Sequence, residues 1–163
     1  LISLKSCFVG LLRERYEADS TRFTEIPGAS LLLNSFGCEP EWAIAIATGA
    51  WRESASLKLE ATMIKISTFP AAFADDGYSR DDILKAAMFR ALAHYRQPRF
   101  EKIVSIGDGV WDVVTARRLG IAFLGIGSGE CAEKLRKAGA GNIIENYKDY
   151  GKFLQSLEAA LQG

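Results

Sequence analysis

Apolar residues along the chain change period several times, and each change marks an element. Over residues 3 to 18, Leu4, Phe8, Leu11, Leu12 and Tyr16 recur at helical spacing among Arg13, Glu14, Arg15 and Glu17, which predicts an amphipathic helix fraying into Asp19-Ser20-Thr21. Pro27-Gly28 marks a turn. Residues 29 to 36 then read as a short leucine-rich helix ended by Gly37, with Pro40 closing the connection. From Trp42 to Ala47 the run W-A-I-A-I-A is continuously apolar and stops at Thr48-Gly49, the pattern of a strand buried on both faces. Helical spacing returns over 51 to 63. Phe69 to Ala74 predicts a short strand closed by the turn-forming Asp75-Asp76-Gly77. Ser79 is a suitable N-cap for a helix with Asp81 and Asp82 in its first turn and Ile83, Leu84, Ala87, Met88, Ala91 and Leu92 as its apolar stripe. The remainder alternates: strand 102 to 106, helix 110 to 119 ended by Gly120, strand 121 to 126, helix 131 to 138 ended by Gly139, strand 142 to 145 and helix 147 to 161. Strands that alternate with helices and are apolar throughout predict an α/β fold, a doubly wound parallel sheet covered on both sides.

Composition narrows the partners. The 163 residues are 48% hydrophobic, enough apolar surface for one packed core. Twenty Lys and Arg balance twenty Asp and Glu, so the formal net charge of +0 argues against nucleic acid and against an anionic membrane as partner. No apolar run approaches the roughly 18 residues that would read as a spanning helix. Cys7, Cys38 and Cys131 are scattered without C-x-x-C spacing, which suggests neither a disulfide framework nor a zinc site and makes a cytoplasmic location the expectation.

In parallel sheets the reacting groups gather at the carboxyl ends of the strands. Those ends carry Thr48-Gly49, Asp75-Asp76-Gly77, Gly107-Asp108-Gly109 and Gly127-Ser128-Gly129. The Thr48 hydroxyl and Gly49 amide can donate to phosphate oxygens. Asp108 and Asp112 are candidate ligands for Mg²⁺, a hard cation that takes oxygen donors. Each has a plainer reading: Thr48 as a helix cap, the aspartates as first-turn carboxylates favoured by the helix dipole, Asp75 and Asp76 as turn formers able to brace Arg80. Trp51 and Arg52 follow Thr48-Gly49 closely enough to touch a leaving group or simply to pack. His94 reads as structural or exposed and Lys58 as a surface lysine. Gly125, Gly127 and Gly129 imitate a dinucleotide loop without completing G-x-G-x-x-G.

Two strings carry a family resemblance. I-A-I-A-T-G at 44 to 49 resembles the second motif of the haloacid dehalogenase-like (HAD-like) hydrolases, and I-V-S-I-G-D-G-V-W-D at 103 to 112, followed by A-R-R-L-G-I-A-F-L-G-I at 116 to 126, resembles the fourth. The likeness covers nearly the whole chain. It implies a Rossmann-like core and a Mg²⁺-dependent phosphatase acting on a small phosphate monoester, a small phosphorylated metabolite. Thr48 and Gly49 would bind the phosphoryl oxygens, Asp108 would ligate Mg²⁺, and Asp112 would hold a metal-bound water or a nearby basic residue. Arg80, or Lys85 one turn further on, would supply the family's third motif; Arg80 is the first choice because its guanidinium makes bidentate contacts.

The resemblance also implies what is missing. The family's nucleophile is the first aspartate of a D-x-D motif, and no two aspartates in these 163 residues are separated by one residue. Residues 1–25 are expected to be a remnant of the helical cap, and residues 26–163 a core lacking its first strand. The chain opens on Leu1 with helical spacing already under way, so a fragment of a longer enzyme is expected, with a shortened non-catalytic protein as the other reading. As it stands the chain is expected to be inactive. A core without its first strand would expose strand edges and apolar surface, so a homodimer is expected of a genuine short form. The rival functional reading is a binding or assembly module with a degenerate fold.

Overall fold

The computed structural model describes residues 2–36, 39 and 41–162. The expectations placed on Leu1, Gly37, Cys38 and Pro40 lie outside these residues. The described residues form α1 (Ile2–Ala18), α2 (Ala29–Phe36), β1 (Ile46–Ala47), α3 (Arg52–Ala61), β2 (Ala71–Ala72), α4 (Arg80–Tyr95), β3 (Val104–Gly107), α5 (Val110–Leu119), β4 (Ala122–Ile126), α6 (Gly129–Ala138), β5 (Asn142–Ile144) and α7 (Tyr150–Gln162). Every strand pairing is parallel, as the α/β reading requires. The chain divides into two compact units, Leu1–Glu25 with Leu33–Gln97, and Ile26–Leu32 with Pro98–Gly163.

In the first unit β1 pairs with β2 in the register Ile46↔Ala71 and Ala47↔Ala72. Backbone bonds extend the ladder on both sides, from Ile46 N–H to Pro70 O at 2.9 Å, Thr48 N–H to Ala72 O at 3.0 Å and Ala74 N–H to Ala50 O at 3.0 Å. Helix α4 packs against both strands, closing a small core of Ala72, Ile83 and Ala87. Its start follows the sequence. Ser79 Oγ accepts from Asp82 N–H and the Asp82 carboxylate accepts from Ser79 N–H, each at 3.1 Å, a reciprocal capping box.

Two expectations fail here. The strand read over Trp42 to Ala47 is regular only over Ile46–Ala47, because Tyr95 takes the preceding backbone: its Oη accepts from Ile44 N–H at 3.1 Å and donates to Ile44 O at 2.9 Å. Nor is the run buried on both faces, since Ala43, Ala45 and Ala47 are exposed between half-buried Ile44 and Ile46. The strand read over Phe69 to Ala74 likewise contracts to Ala71–Ala72, because Phe73 N–H turns to the Asp76 carboxylate at 2.9 Å and begins the turn.

In the second unit the order is β3-β4-β5. Val104 to Gly107 run beside Ala122 to Gly125, and Leu124 to Ile126 beside Asn142 to Ile144. Helices α5 and α6 pack on each other and on the sheet, while α7 packs on all three strands. Leu124 and Leu135 are fully buried, and Phe153 and Leu157 nearly so. Gly120 and Gly139 close α5 and α6 in the left-handed conformation, φ 65° and 99°, which removes the side-chain penalty such a stop otherwise carries. The last helix begins at Tyr150 rather than at 147, because Asn146 and Asp149 spend their side chains on turn and cap: Asn146 Oδ1 accepts from Lys148 N–H at 3.0 Å and Asp149 Oδ1 from Lys152 N–H at 2.9 Å. Among the described residues β3 pairs with β4 alone, and Ile106, Val110, Trp111 and Val114 near this edge are exposed.

Candidate functional site

The predicted anion-binding residues Thr48, Gly49 and Arg80 belong to the first unit. Thr48 ends the β1 ladder, and its Oγ1 accepts from Ala50 N–H at 3.2 Å, so the hydroxyl hydrogen is left to donate elsewhere. The capping box at Ser79 makes Arg80 the first helical residue of α4. From there its guanidinium reaches the segment that follows β1: a Cβ built on Gly49 would stand 3.1 Å from Arg80 Nη2. Glycine therefore leaves room for an arginine to lie against this backbone. A hydroxyl, an exposed backbone segment and a guanidinium thus converge at the carboxyl end of β1, beside the N-terminus of α4. Lys85 is exposed further along α4, where its charge helps hold the Asp82 carboxyl below its ordinary value, after the larger effect of the Ser79 hydrogen bonds.

Asp108 and Asp112 belong to the second unit, Asp108 between β3 and α5 and Asp112 in the first turn of α5. Asp108 is exposed. Asp112 turns back on its own segment, one carboxylate oxygen accepting from Gly109 N–H at 3.2 Å. Trp111 lies over Gly109, where a Cβ would collide with the indole. Tyr147 also faces this region. Burial pushes its phenol up to about 12, and the nearby Asp108 carboxylate adds to the shift.

No group of three or more His, Cys, Asp and Glu side chains able to hold a metal occurs among the described residues. Mg²⁺ is commonly held by one or two carboxylates, with waters and substrate phosphate completing its shell. The carboxylates of Asp108 and Asp112 are oxygen donors of the kind that ion takes.

Sequence reasoning missed a charged network around the Asp75-Asp76 turn. Lys5 Nζ, on α1, bridges Glu53 at 2.7 Å and Asp75 at 2.5 Å. The other oxygen of Asp75 accepts from Arg52 N–H at 2.7 Å. Arg90 grips both oxygens of Asp76, at 2.7 and 2.8 Å, and donates to Ala71 O at 2.7 Å. The Arg52 guanidinium lies 3.5 Å from Asp76 and 4.2 Å from the centre of the Phe73 ring. Hydrogen bonds from Lys5, then from Arg52 N–H, lower the Asp75 carboxyl, and those from Arg90 pull Asp76 to about 2. The local signal was the D-D-G turn; its partners stand up to 70 residues away in sequence. Trp51 packs edge-on against Phe8, ring centres 5.7 Å apart, so α1 also touches the segment that follows Gly49.

Parallel strands, each followed by a helix, with candidate groups just beyond the strand ends, define the open α/β class in which sites form at the strands' carboxyl ends. The fold is shared with solved structures that include a haloacid dehalogenase-like protein. The chain is similar to a hydrolase from Pseudomonas syringae, with 26% identity and a TM-score of 0.61 over 81% of this chain and 62% of that one. It is also similar to a conserved haloacid dehalogenase-like protein of unknown function from Agrobacterium tumefaciens, at 18% identity and a TM-score of 0.62 over 91% of this chain and 70% of that one. It therefore spans less than two thirds of the Pseudomonas hydrolase. No family model and no curated protein sequence matches the chain. Among the described residues no helix is long and apolar enough to cross a membrane.

Proposed function

We propose that the chain is the phosphate-binding core of a HAD-like, Mg²⁺-dependent phosphatase for a small phosphorylated metabolite, and that it does not turn over by itself. The observation that carries this reading is the approach of Arg80 to Gly49 beside the Thr48 hydroxyl. Thr48 would donate its hydroxyl hydrogen to a phosphoryl oxygen, Gly49 its N–H to another, and Arg80 would balance the dianion's charge through a planar fork matched to phosphate. Asp108 and Asp112 would hold Mg²⁺, which when bound would supply Lewis-acid chemistry. Hydrolysis through an aspartyl-phosphate needs a carboxylate nucleophile, and the sequence contains no D-x-D.

The same proposal takes residues 1–25 as a cap remnant and the protein as cytoplasmic and self-associating; among the described residues the pairing of β3 on one side, with exposed apolar residues beside it, supports the self-association. Assay of the chain against p-nitrophenyl phosphate with Mg²⁺, alongside calorimetric titration with Mg²⁺ and phosphate, tests the functional reading. Binding without turnover is expected; robust turnover removes the nucleophile argument. The alternative, a non-catalytic module that binds neither ligand, is favoured by one observation: Asp112 already caps Gly109 N–H. A calorimetric trace without heat for either ligand would select it.

A further inference from the structure

The segment from Thr48 to Arg52 carries two of the proposed phosphate contacts, and its conformation is set at three points. At its start Thr48 N–H is fixed to Ala72 O, and in its middle Ala50 O is fixed to Ala74 N–H, both at 3.0 Å. At its end Arg52 N–H, an orphan donor of the first turn of α3, is accepted at 2.7 Å by Asp75. The first two anchors are strand ladder. The third is a side chain from a different segment, and that segment is itself rigid, because Asp76 accepts from Phe73 N–H and from both forks of Arg90. Arg52 lays its guanidinium on the same turn, near Asp76 and over Phe73.

The charges around the turn cancel. Lys5, Arg52 and Arg90 face Glu53, Asp75 and Asp76, three cations against three anions. Carboxylates can therefore grip this segment at Arg52 while their repulsion of a phosphate dianion three or four residues away is compensated.

We propose that Asp75 is a positioning residue of the phosphate subsite: by accepting from Arg52 N–H it fixes the far end of the segment and aims Thr48 and Gly49 at a phosphate oxygen. This deepens the functional reading above and rests on it. It also makes a prediction of unusual sign. A carboxylate that merely sits near an anion site weakens anion binding, so its removal tightens the site; a carboxylate that positions the site loosens it when removed.

The test measures the dissociation constant of inorganic phosphate for the full 163-residue chain, by calorimetry or by ³¹P NMR, with melting temperature recorded in parallel. Arg80→Ala reads the subsite itself and is expected to abolish binding. Asp75→Ala is expected to weaken phosphate at least fivefold. Asp75→Asn keeps an oxygen for Arg52 N–H and is expected to stay within twofold. Unchanged or tighter binding in folded Asp75→Ala, with binding still lost in Arg80→Ala, overturns the positioning role alone. Absence of phosphate binding by the unmutated chain, or equal binding by Arg80→Ala, overturns the phosphate reading and this proposal with it. If Asp75→Ala does not fold, Arg52→Pro carries the test, since proline is tolerated in the first helical position and deletes the N–H that Asp75 accepts. It should bind at least threefold more weakly than Arg52→Ala, which loses the same charge but keeps the N–H; equal affinities overturn the proposal.

Discussion

Replacing Asp76 by Asn tests whether the turn after β2 is held by its ion pair or merely decorated by it. The native carboxylate accepts two short bonds from Arg90, at 2.7 and 2.8 Å, and one from Phe73 N–H at 2.9 Å. Asparagine keeps an acceptor for Phe73 but loses the charge and the bidentate fit. Exposed ion pairs contribute about 0–1 kcal/mol, whereas hydrogen bonds to charged groups contribute about 1.5–3. Asp76 is only 14% exposed and Arg90 is 39% exposed, so the pair lies between these limits. The carboxyl's fall from 3.8 to about 2 sets an upper bound of about 2.5 kcal/mol, and the partial exposure of Arg90 reduces it to about 1.5. Asp76→Asn should therefore lower the melting temperature by about 3–6 °C. In a double-mutant cycle with Arg90→Met under urea denaturation, a coupling near 1.5 kcal/mol is expected. A coupling below about 0.5 kcal/mol would refute the reasoning. The pH dependence has a definite sign. The folded-state value lies below the unfolded one, so the stabilisation is fully present above about pH 4 and is lost as pH falls through about 2. The gap between native and Asp76→Asn stability should close over that window and stay constant at neutral pH.

Three further outcomes follow from packing and site geometry. Leu135 is fully buried against Val113 and Ala140, so Leu135→Ala should cost about 2–5 kcal/mol in urea unfolding, and a loss under 1 would show that this core collapses around the gap. Gly28 has φ +90° and passes so close to the chain at Tyr147 that an added Cβ would meet the carbonyl carbon at 2.6 Å; Gly28→Ala should cost about 2–4 kcal/mol, and a neutral outcome would mean that the two backbones separate easily. Gly49→Ala pushes on the movable end of Arg80 rather than on backbone, so stability should hold within about 0.5 kcal/mol while phosphate affinity falls; unchanged affinity would remove the Gly49–Arg80 contact from the site.

What the sequence revealed depended on how local the deciding interaction was. The Ser79 cap and the Gly120 and Gly139 stops are decided within a few residues, and these helix ends appear where the pattern put them. The pattern over Trp42 to Ala47 predicts a longer strand than forms, because Tyr95, 51 residues from Ile44, captures that residue's backbone, and no periodicity encodes this. Its expected two-sided burial failed for a related reason: apolar side chains report what a strand could bury, not which neighbours are there to cover it. The candidate site was legible as types of residue at strand ends, because Thr48, Gly49 and Asp108 sit next to breaks in the apolar pattern. The Lys5, Arg52 and Arg90 contacts of Asp75 and Asp76 were not legible, since ion-pair partners brought together by folding leave no spacing to read.

That Thr48, Gly49 and Arg80 form a phosphate subsite is tested most directly by calorimetric titration of inorganic phosphate into the chain and into Thr48→Val. The chain should bind phosphate, and Thr48→Val, which keeps the side chain's shape and loses its hydroxyl, should bind it at least fivefold more weakly. Equal affinities, or no binding by the unmutated chain, would contradict the claim.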